Sequence, residues 1–139
     1  MMREFMAPNY RKIREFADRH NIPIVMLDTD GDMDKIIPVL IESGINMLVP
    51  FEVIEGCKTA VEFCKEYPNL CIMGGISKVE IAKGPKAIDQ ELERLRPVFE
   101  KGTGFMPALD HLIPPEVSYQ DFKYFVSKLR EYLDIGCKN

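Results

Sequence analysis

The sequence lacks the features that mark several classes of protein. No apolar stretch approaches the ~20 residues that a helix needs to cross a membrane, and the N-terminus has no apolar core of a signal peptide. Lysine and arginine are interleaved with aspartate and glutamate, so there is no basic run, and the formal net charge is −4. We therefore expect neither a membrane nor a nucleic acid among the partners of this chain.

The spacing of the cysteines favours neither a metal knuckle nor a disulfide framework. The four cysteines, Cys57, Cys64, Cys71 and Cys137, form no C-x-x-C pair. Cys57 and Cys64 are predicted to lie two turns apart on one face of a helix, which is too far for a disulfide. Buried, reduced thiols are typical of cytoplasmic proteins, and we predict that location.

The residues that are present predict one globular domain. The chain has 139 residues, of which 46% are hydrophobic and 29% charged, so it can bury a core. Residues 1–9 show no hydrophobic periodicity and are predicted to be a loose lead-in to a single domain over residues 10–139. Tyr10–Arg19 carries apolar residues at helical spacing and predicts an amphipathic helix.

Four short apolar segments, each followed by a helical pattern, predict a parallel sheet. Segments that are apolar throughout are typical of strands buried on both faces. Strand–helix alternation predicts right-handed crossovers and an α/β fold with about four parallel strands and helices outside. The predicted strands are Ile22–Leu27, Asn46–Phe51, Leu70–Met73 and Gly102–Leu109.

Caps and prolines predict where the first helices between strands begin. Asp32 is the expected N-cap of a helix that runs to about Ser43, in which Pro38 must lie in the first turn or introduce a kink. The next helix is predicted over residues 55–67, with Cys57 and Cys64 facing inward.

The same signals occur in the second half. Residues 77–80 (SKVE) form a capping box, and a longer helix is predicted from Pro85 to Lys101, which Pro97 should kink or end early. Ser118 is the expected cap of a closing amphipathic helix.

Every predicted strand ends in polar residues or glycine. The carboxyl ends of parallel strands meet at one edge of the sheet, where α/β proteins present their chemistry. Four such ends together favour a site at that edge. In chain order the residues are Asp28, Asp30, Gly31, Glu52, Gly74, Gly75, Asp110 and His111.

His111 is the better placed of only two histidines. Imidazole can bind a carboxylate, or donate a proton to a carbon left electron-rich by loss of CO2. We predict catalytic roles for His111, Asp30 and Asp110. The remaining strand-end residues are predicted to bind substrate: Asp28, Gly31, Glu52, Gly74 and Gly75.

Structural alternatives remain open for each of these residues. The aspartates can cap the following helix, the glycines can serve turn geometry, Glu52 can be a surface residue, and His111 can fix its own loop through hydrogen bonds. His20 is predicted to be a solvent-facing C-terminal cap of the first helix.

Five segments of the chain form a distinctive set of motifs: Asp28–Gly31 (DTDG), Ile37–Gly44 (IPVLIESG), Gly74–Lys78 (GGISK), Ala82–Pro85 (AKGP) and Asp110–Ser118 (DHLIPPEVS). In this order they resemble the uroporphyrinogen decarboxylase family, whose superfamily includes corrinoid-dependent methyltransferases. The resemblance extends over about residues 10–134. It implies a (β/α)8 barrel of which this chain holds the C-terminal half, since such a barrel needs ~250 residues. We expect either a truncated enzyme or a natural half-barrel.

The resemblance implies an activity for the full-length parent. In the decarboxylase branch, acetate side chains of a tetrapyrrole are decarboxylated without a cofactor, and His111 approximately matches a histidine near the substrate's carboxylate arms. That branch also carries arginines and an aspartate near its N-terminus, which no segment here matches. We therefore expect this fragment to be inactive alone.

Two alternatives follow from the same resemblance. The methyltransferase branch uses zinc and a corrinoid protein partner, but Asp28 and Asp30 stand where that branch has a His-x-Cys zinc pair. Asp28, Asp30 and His111 are then the weakly expected metal ligands. The other alternative is a non-catalytic, self-associating half-barrel. Four strands alone would expose two sheet edges and an apolar face, which predicts a homo-oligomer.

Overall fold

Residues 1–102 and 104–136, described by a computed structural model, form helices packed on a four-stranded sheet. All neighbouring strands pair in parallel, in the order β1-β2-β3-β4. The predicted α/β class and parallel sheet are therefore confirmed, and the architecture is a partial βα repeat. The strands are β1 (Met26–Asp28), β2 (Met47–Phe51), β3 (Cys71–Ile76) and β4 (Phe105–Leu109).

These residues contain seven α-helices in addition to the strands. A π-helical segment (Met2–Met6) precedes the first α-helix. The prediction of a loose lead-in over residues 1–9 was wrong, because the chain is helical from Met2 onward and Ala7 is buried. Pro8, in the first turn of α1, was the start signal. The α-helices are α1 (Ala7–Arg19), α2 (Ile37–Glu42), α3 (Ala60–Glu66), α4 (Lys78–Ile81), α5 (Pro85–Arg94), α6 (Arg96–Lys101) and α7 (Tyr119–Gly136).

The first strand is shorter and more exposed than predicted. Ile22 and Ile24 lie outside β1, and Met26 within it is 54% exposed, so the expectation of burial on both faces was wrong. Pro23 cannot donate a ladder hydrogen bond, and β1 is an edge strand. Both facts explain why an apolar segment gives only a three-residue strand.

Two helices begin later than predicted. Asp32 is not the N-cap of α2; its carboxylate accepts the N–H of Asp34 (3.0 Å) in the preceding turn, while Pro38 lies in the helix's first turn. A complete capping box, formed by Thr59 and Glu62, sets the start of α3. Cys57 therefore lies before this helix, and the predicted helical face shared with Cys64 does not form.

The later helix signals are mostly confirmed. Ser77 caps α4, but the Glu80 side chain pairs with Lys83, so the predicted capping box is only half formed. The long helix predicted from Pro85 is divided in two: α5 ends before Leu95, and α6 begins after it with Pro97 in its first turn, as expected from that proline. The Oγ of Ser118 accepts the N–H of Asp121 (3.0 Å) and caps α7.

The two faces of the sheet differ in burial. Leu48 and Ile72 pair in register, are fully buried, and belong to the core formed with the helices. The residue after Met26 pairs with Leu48, and the residue before Met106 pairs with Ile72. Because successive side chains of a strand alternate between faces, Met26 and Met106 lie on the opposite face. They are 54% and 53% exposed. Apolar side chains of the two edge strands thus remain open to solvent.

Cys57, Cys64 and Cys71 are free thiols, of which only Cys64 is fully buried. Burial raises the pKa of the Cys64 thiol. Cys137 lies outside the described residues. Within residues 1–102 and 104–136, no helix has the length and apolar character needed to cross a membrane.

Candidate functional site

Three side chains from separate strand ends meet at the carboxyl edge of the sheet. Asp30 follows β1, Glu52 follows β2 and His111 follows β4, and one potential ligand atom from each lies within 4.8 Å of the other two. We call these three residues the rim cluster. The fold therefore brings together residues that are 22 and 59 positions apart in sequence, as expected for parallel strands that end at one edge.

Glu52 is the centre of the rim cluster. Its Oε2 accepts the backbone N–H of Gly31 at 2.5 Å, and its Oε1 lies 2.5 Å from Nε2 of His111. The Gly31 hydrogen bond is the main cause that lowers the pKa of Glu52; His111 and Lys78 add to it, and burial opposes it. The Glu52 side chain is only 19% exposed. It is thus a fixed carboxylate that is ionised at neutral pH.

His111 and Asp30 are the accessible members of the cluster. The imidazole is 37% exposed, with Nε2 directed to Glu52, and Asp30 is exposed. Because an ionised carboxylate only accepts hydrogen bonds, Nε2 of His111 is the donor in this contact. The arrangement can therefore hold a proton next to solvent, or replace that proton with a cation.

Asp110 lies below the cluster rather than in it. It is 5% exposed, and its two oxygens accept backbone N–H groups from Lys78 (3.0 Å) and Val53 (3.4 Å). Val53 directly follows Glu52, and Asp110 directly precedes His111. Asp110 thus connects the ends of β2, β3 and β4, and this geometry gives it a positioning role.

Gly74 and Gly75 have packing reasons to be glycine. Gly74 has φ +123°, and a Cβ there would lie 2.6 Å from the backbone nitrogen of Phe51. Gly75 has φ +80°, and its Cβ would lie 3.0 Å from that of Ala60. The close approach of β2 to Gly74 and of α3 to Gly75 accounts for both glycines without a ligand.

The remaining predicted residues have different positions relative to the cluster. Gly31 supports it through its hydrogen bond to Glu52. Asp28 is the exposed last residue of β1 and, among the described residues, is not part of the metal-type cluster. Glu52 takes the place that Asp28 had in the expected ligand set. His20 is the exposed C-cap of α1, as predicted.

Sequence reasoning missed a partly buried ion pair next to the end of β3. Glu91 is 5% exposed and accepts the N–H of Ser77 at 2.8 Å. Arg94 donates to both Glu91 oxygens (2.9 and 2.7 Å) and to the carbonyl of Gly75 (3.2 Å). The only sequence signal is an i, i+3 Glu–Arg pair, which is common on exposed helix faces.

The cluster does not fit the thiolate type of zinc site that the methyltransferase branch implies. Its donor atoms are two carboxylate oxygens and one imidazole nitrogen, and it contains no cysteine. Such a donor set suits a harder cation with open coordination positions.

The comparisons with known proteins identify no family for this chain. Neither a scan of protein-family models nor searches of curated proteins and solved structures gave a match. The geometry of the rim cluster, and the residues that hold it in place, are therefore what indicates the chemistry of this chain.

Proposed function

We propose that this chain is the C-terminal half of a (β/α)8 barrel of the uroporphyrinogen decarboxylase type. Four parallel strands in sequential order, with helices between them, support this proposal, because such a barrel is built from consecutive βα units. Polar residues collected at the carboxyl edge support it further, since active sites of these barrels lie at that face. The partly exposed thiols of Cys57 and Cys71 agree with a cytoplasmic location, which remains part of the proposal.

The reaction proposed for the complete barrel is decarboxylation of an acetate side chain of a tetrapyrrole. The bond between the side-chain carbon and its carboxylate breaks, CO2 leaves, and the electron pair stays on the carbon. Protonated His111 then gives its proton to that carbon and becomes neutral. Solvent can return a proton because the ring is partly exposed.

One observation carries this role for His111: its Nε2 lies 2.5 Å from the Glu52 carboxylate at the carboxyl edge. The carboxylate orients the ring by accepting a hydrogen bond from it. The cluster itself is anionic, so positive groups that bind the carboxylates of a tetrapyrrole must come largely from the other half of the barrel. Lys78, whose charge lowers the pKa of Glu52, is a positive group that this half supplies.

Turnover of uroporphyrinogen, measured as carboxylate loss, tests the proposal in the protein with its natural flanking sequence and in this chain alone. We expect activity for the former and none for the latter. His111→Gln should reduce kcat by about 10²-fold or more. His20→Gln is the matched control, because the same change is then made at the exposed end of α1. Unchanged kcat for His111→Gln would refute the role.

Methyl transfer with a corrinoid protein is a second candidate; the observation behind it is that three possible metal ligands meet in the rim cluster, although none of them is a thiolate. Methyl transfer from a methylated corrinoid protein, lost in Asp30→Ala and retained in Asp28→Ala, would support it. Absence of transfer with the full-length protein would count against it.

A non-catalytic, self-associating half-barrel is a third candidate, favoured by the exposed methionines of β1 and β4. It predicts an oligomer without turnover, and its test is the oligomeric state.

A further inference from the structure

We propose that Asp30, Glu52 and His111 bind a divalent cation such as Mn²⁺ through two carboxylate oxygens and one imidazole nitrogen. This inference goes beyond the proposed decarboxylation, which needs no metal, and a cation bound to Nε2 of His111 would take the place of the proton at that nitrogen, so the two roles are alternatives there. It also replaces the thiolate zinc site implied by the methyltransferase branch with a site of different ligand chemistry.

The spacing of the three donors fits one ion. Oxygen and nitrogen ligands lie ~2.0–2.2 Å from ions of this class. Two such ligands are therefore separated by ~3 Å when they are adjacent and by ~4.4 Å when they are opposite. The three potential ligand atoms lie within 4.8 Å of one another, so small rotations about side-chain bonds bring them onto a common ion.

The charge of the cluster favours a cation. Two carboxylates meet here, and the backbone N–H of Gly31 holds one oxygen of Glu52 at 2.5 Å. Lys78 is the lysine whose charge acts on Glu52. One lysine offsets only part of the negative charge of two carboxylates, and a divalent ion would neutralise it at close range.

Hydrogen bonds to backbone N–H groups hold two of the three ligands, Glu52 and His111, or the segments that carry them. Gly31 fixes one oxygen of Glu52, and Asp110 fixes the segments that carry Glu52 and His111. A site whose ligands are positioned before the ion arrives loses less conformational entropy on binding. Because Asp30 and one side of the imidazole are exposed, three protein ligands leave coordination positions for water or a substrate oxygen.

The donor set indicates the class of ion. Carboxylates suit Mg²⁺ and Mn²⁺, and imidazole suits Zn²⁺ and Fe²⁺. Mn²⁺ suits carboxylates and, as a first-row transition ion, also accepts imidazole. It is also observed directly by electron paramagnetic resonance. Zn²⁺ should compete for the same three ligands, because such sites generally bind Mn²⁺, the first ion of the series, more weakly than the later first-row ions.

The test is a titration of the whole, chelator-treated chain with Mn²⁺, followed by electron paramagnetic resonance and by calorimetry. We expect one ion per chain, displaced by Zn²⁺. Glu52→Gln and His111→Gln should each weaken binding by about tenfold or more. Asp28→Asn is the matched control and should change the affinity by less than about twofold, since Asp28 is exposed at the same strand end but outside the cluster.

If Glu52→Gln impairs folding, Asp30→Asn gives the same test at an exposed position and should also weaken binding by about tenfold. Absence of stoichiometric Mn²⁺ and Zn²⁺ binding at millimolar concentration would overturn the proposal. An equal loss of binding in Asp28→Asn would also overturn it. These results are independent of turnover, so failure of the cation site and failure of the decarboxylase proposal are distinguishable.

Discussion

Asp110→Asn should destabilise the protein although it changes few atoms. The buried carboxylate accepts one N–H group on each oxygen, from Lys78 at 3.0 Å and from Val53 at 3.4 Å. An amide retains one acceptor, but its NH2 group must face the other N–H donor. The substitution therefore removes the negative charge and leaves a backbone N–H group without an acceptor in a partly buried place.

The magnitude follows from those two bonds. Hydrogen bonds to a charged acceptor contribute ~1.5–3 kcal/mol each, and the longer Val53 bond contributes less than the Lys78 bond. We expect the free energy of unfolding to fall by about 2–3 kcal/mol, which corresponds to a Tm lower by about 10 °C at this chain length. If the amide rotates so that its oxygen accepts from Lys78, the loss falls at the lower end.

Urea denaturation followed by circular dichroism measures the effect. Asp28→Asn is the control, because it makes the same chemical change at an exposed strand end and should shift stability by less than about 0.5 kcal/mol. The denaturant slope m should be unchanged in both variants. A loss in Asp110→Asn as small as in the control would refute the reasoning that Asp110 connects the strand ends.

Three further predictions concern backbone, pH and association. Gly74→Ala should cost about 3 kcal/mol or more in a denaturation experiment, because its Cβ would meet the Phe51 backbone at 2.6 Å, whereas Gly56→Ala has free space and should cost about 1 kcal/mol. Arg96, and then Tyr132, lower the pKa of Glu93 to about 2, so its stabilising contribution is present above its unfolded pKa near 4.5 and is lost as pH falls towards 2. Glu93→Gln should flatten the pH dependence of Tm in that window, and an unchanged slope would contradict this. Light scattering should detect self-association through the exposed apolar face, and Met106→Lys should weaken it. A clean monomer at high concentration would exclude self-association.

The strands could be predicted because their signal is local. Each apolar segment lies between turn residues, and parallel pairing follows from alternation with helices. The limits of β1 could not be predicted in the same way. Whether Ile22 and Ile24 join a strand depends on neighbours, and β1 has a neighbour on one side only, so its apolar residues stay partly exposed.

The location of the site could also be predicted, whereas the division of roles within it could not. The rule that parallel strands end at one edge is sufficient to bring Asp30, Glu52 and His111 together. Which acid binds backbone is decided by contacts far apart in sequence: Asp110 meets Val53 and Lys78, which are 57 and 32 positions away. A single sequence gives no information on those contacts.

The same distinction explains why two kinds of acid occur at one sheet edge. The Asp110 carboxylate is buried and accepts hydrogen bonds from backbone N–H groups. Its contribution is therefore to stabilise the arrangement of the strand ends. Asp30 is exposed and next to a second carboxylate, so its charge is available to a ligand. Substitution of Asp110 should therefore lower stability first and cation affinity only indirectly, whereas Asp30→Asn should lower affinity and leave the free energy of unfolding of the metal-free chain within about 0.5 kcal/mol. If Asp30→Asn destabilised the metal-free protein as much as Asp110→Asn, the rim cluster would be a structural element rather than a binding site.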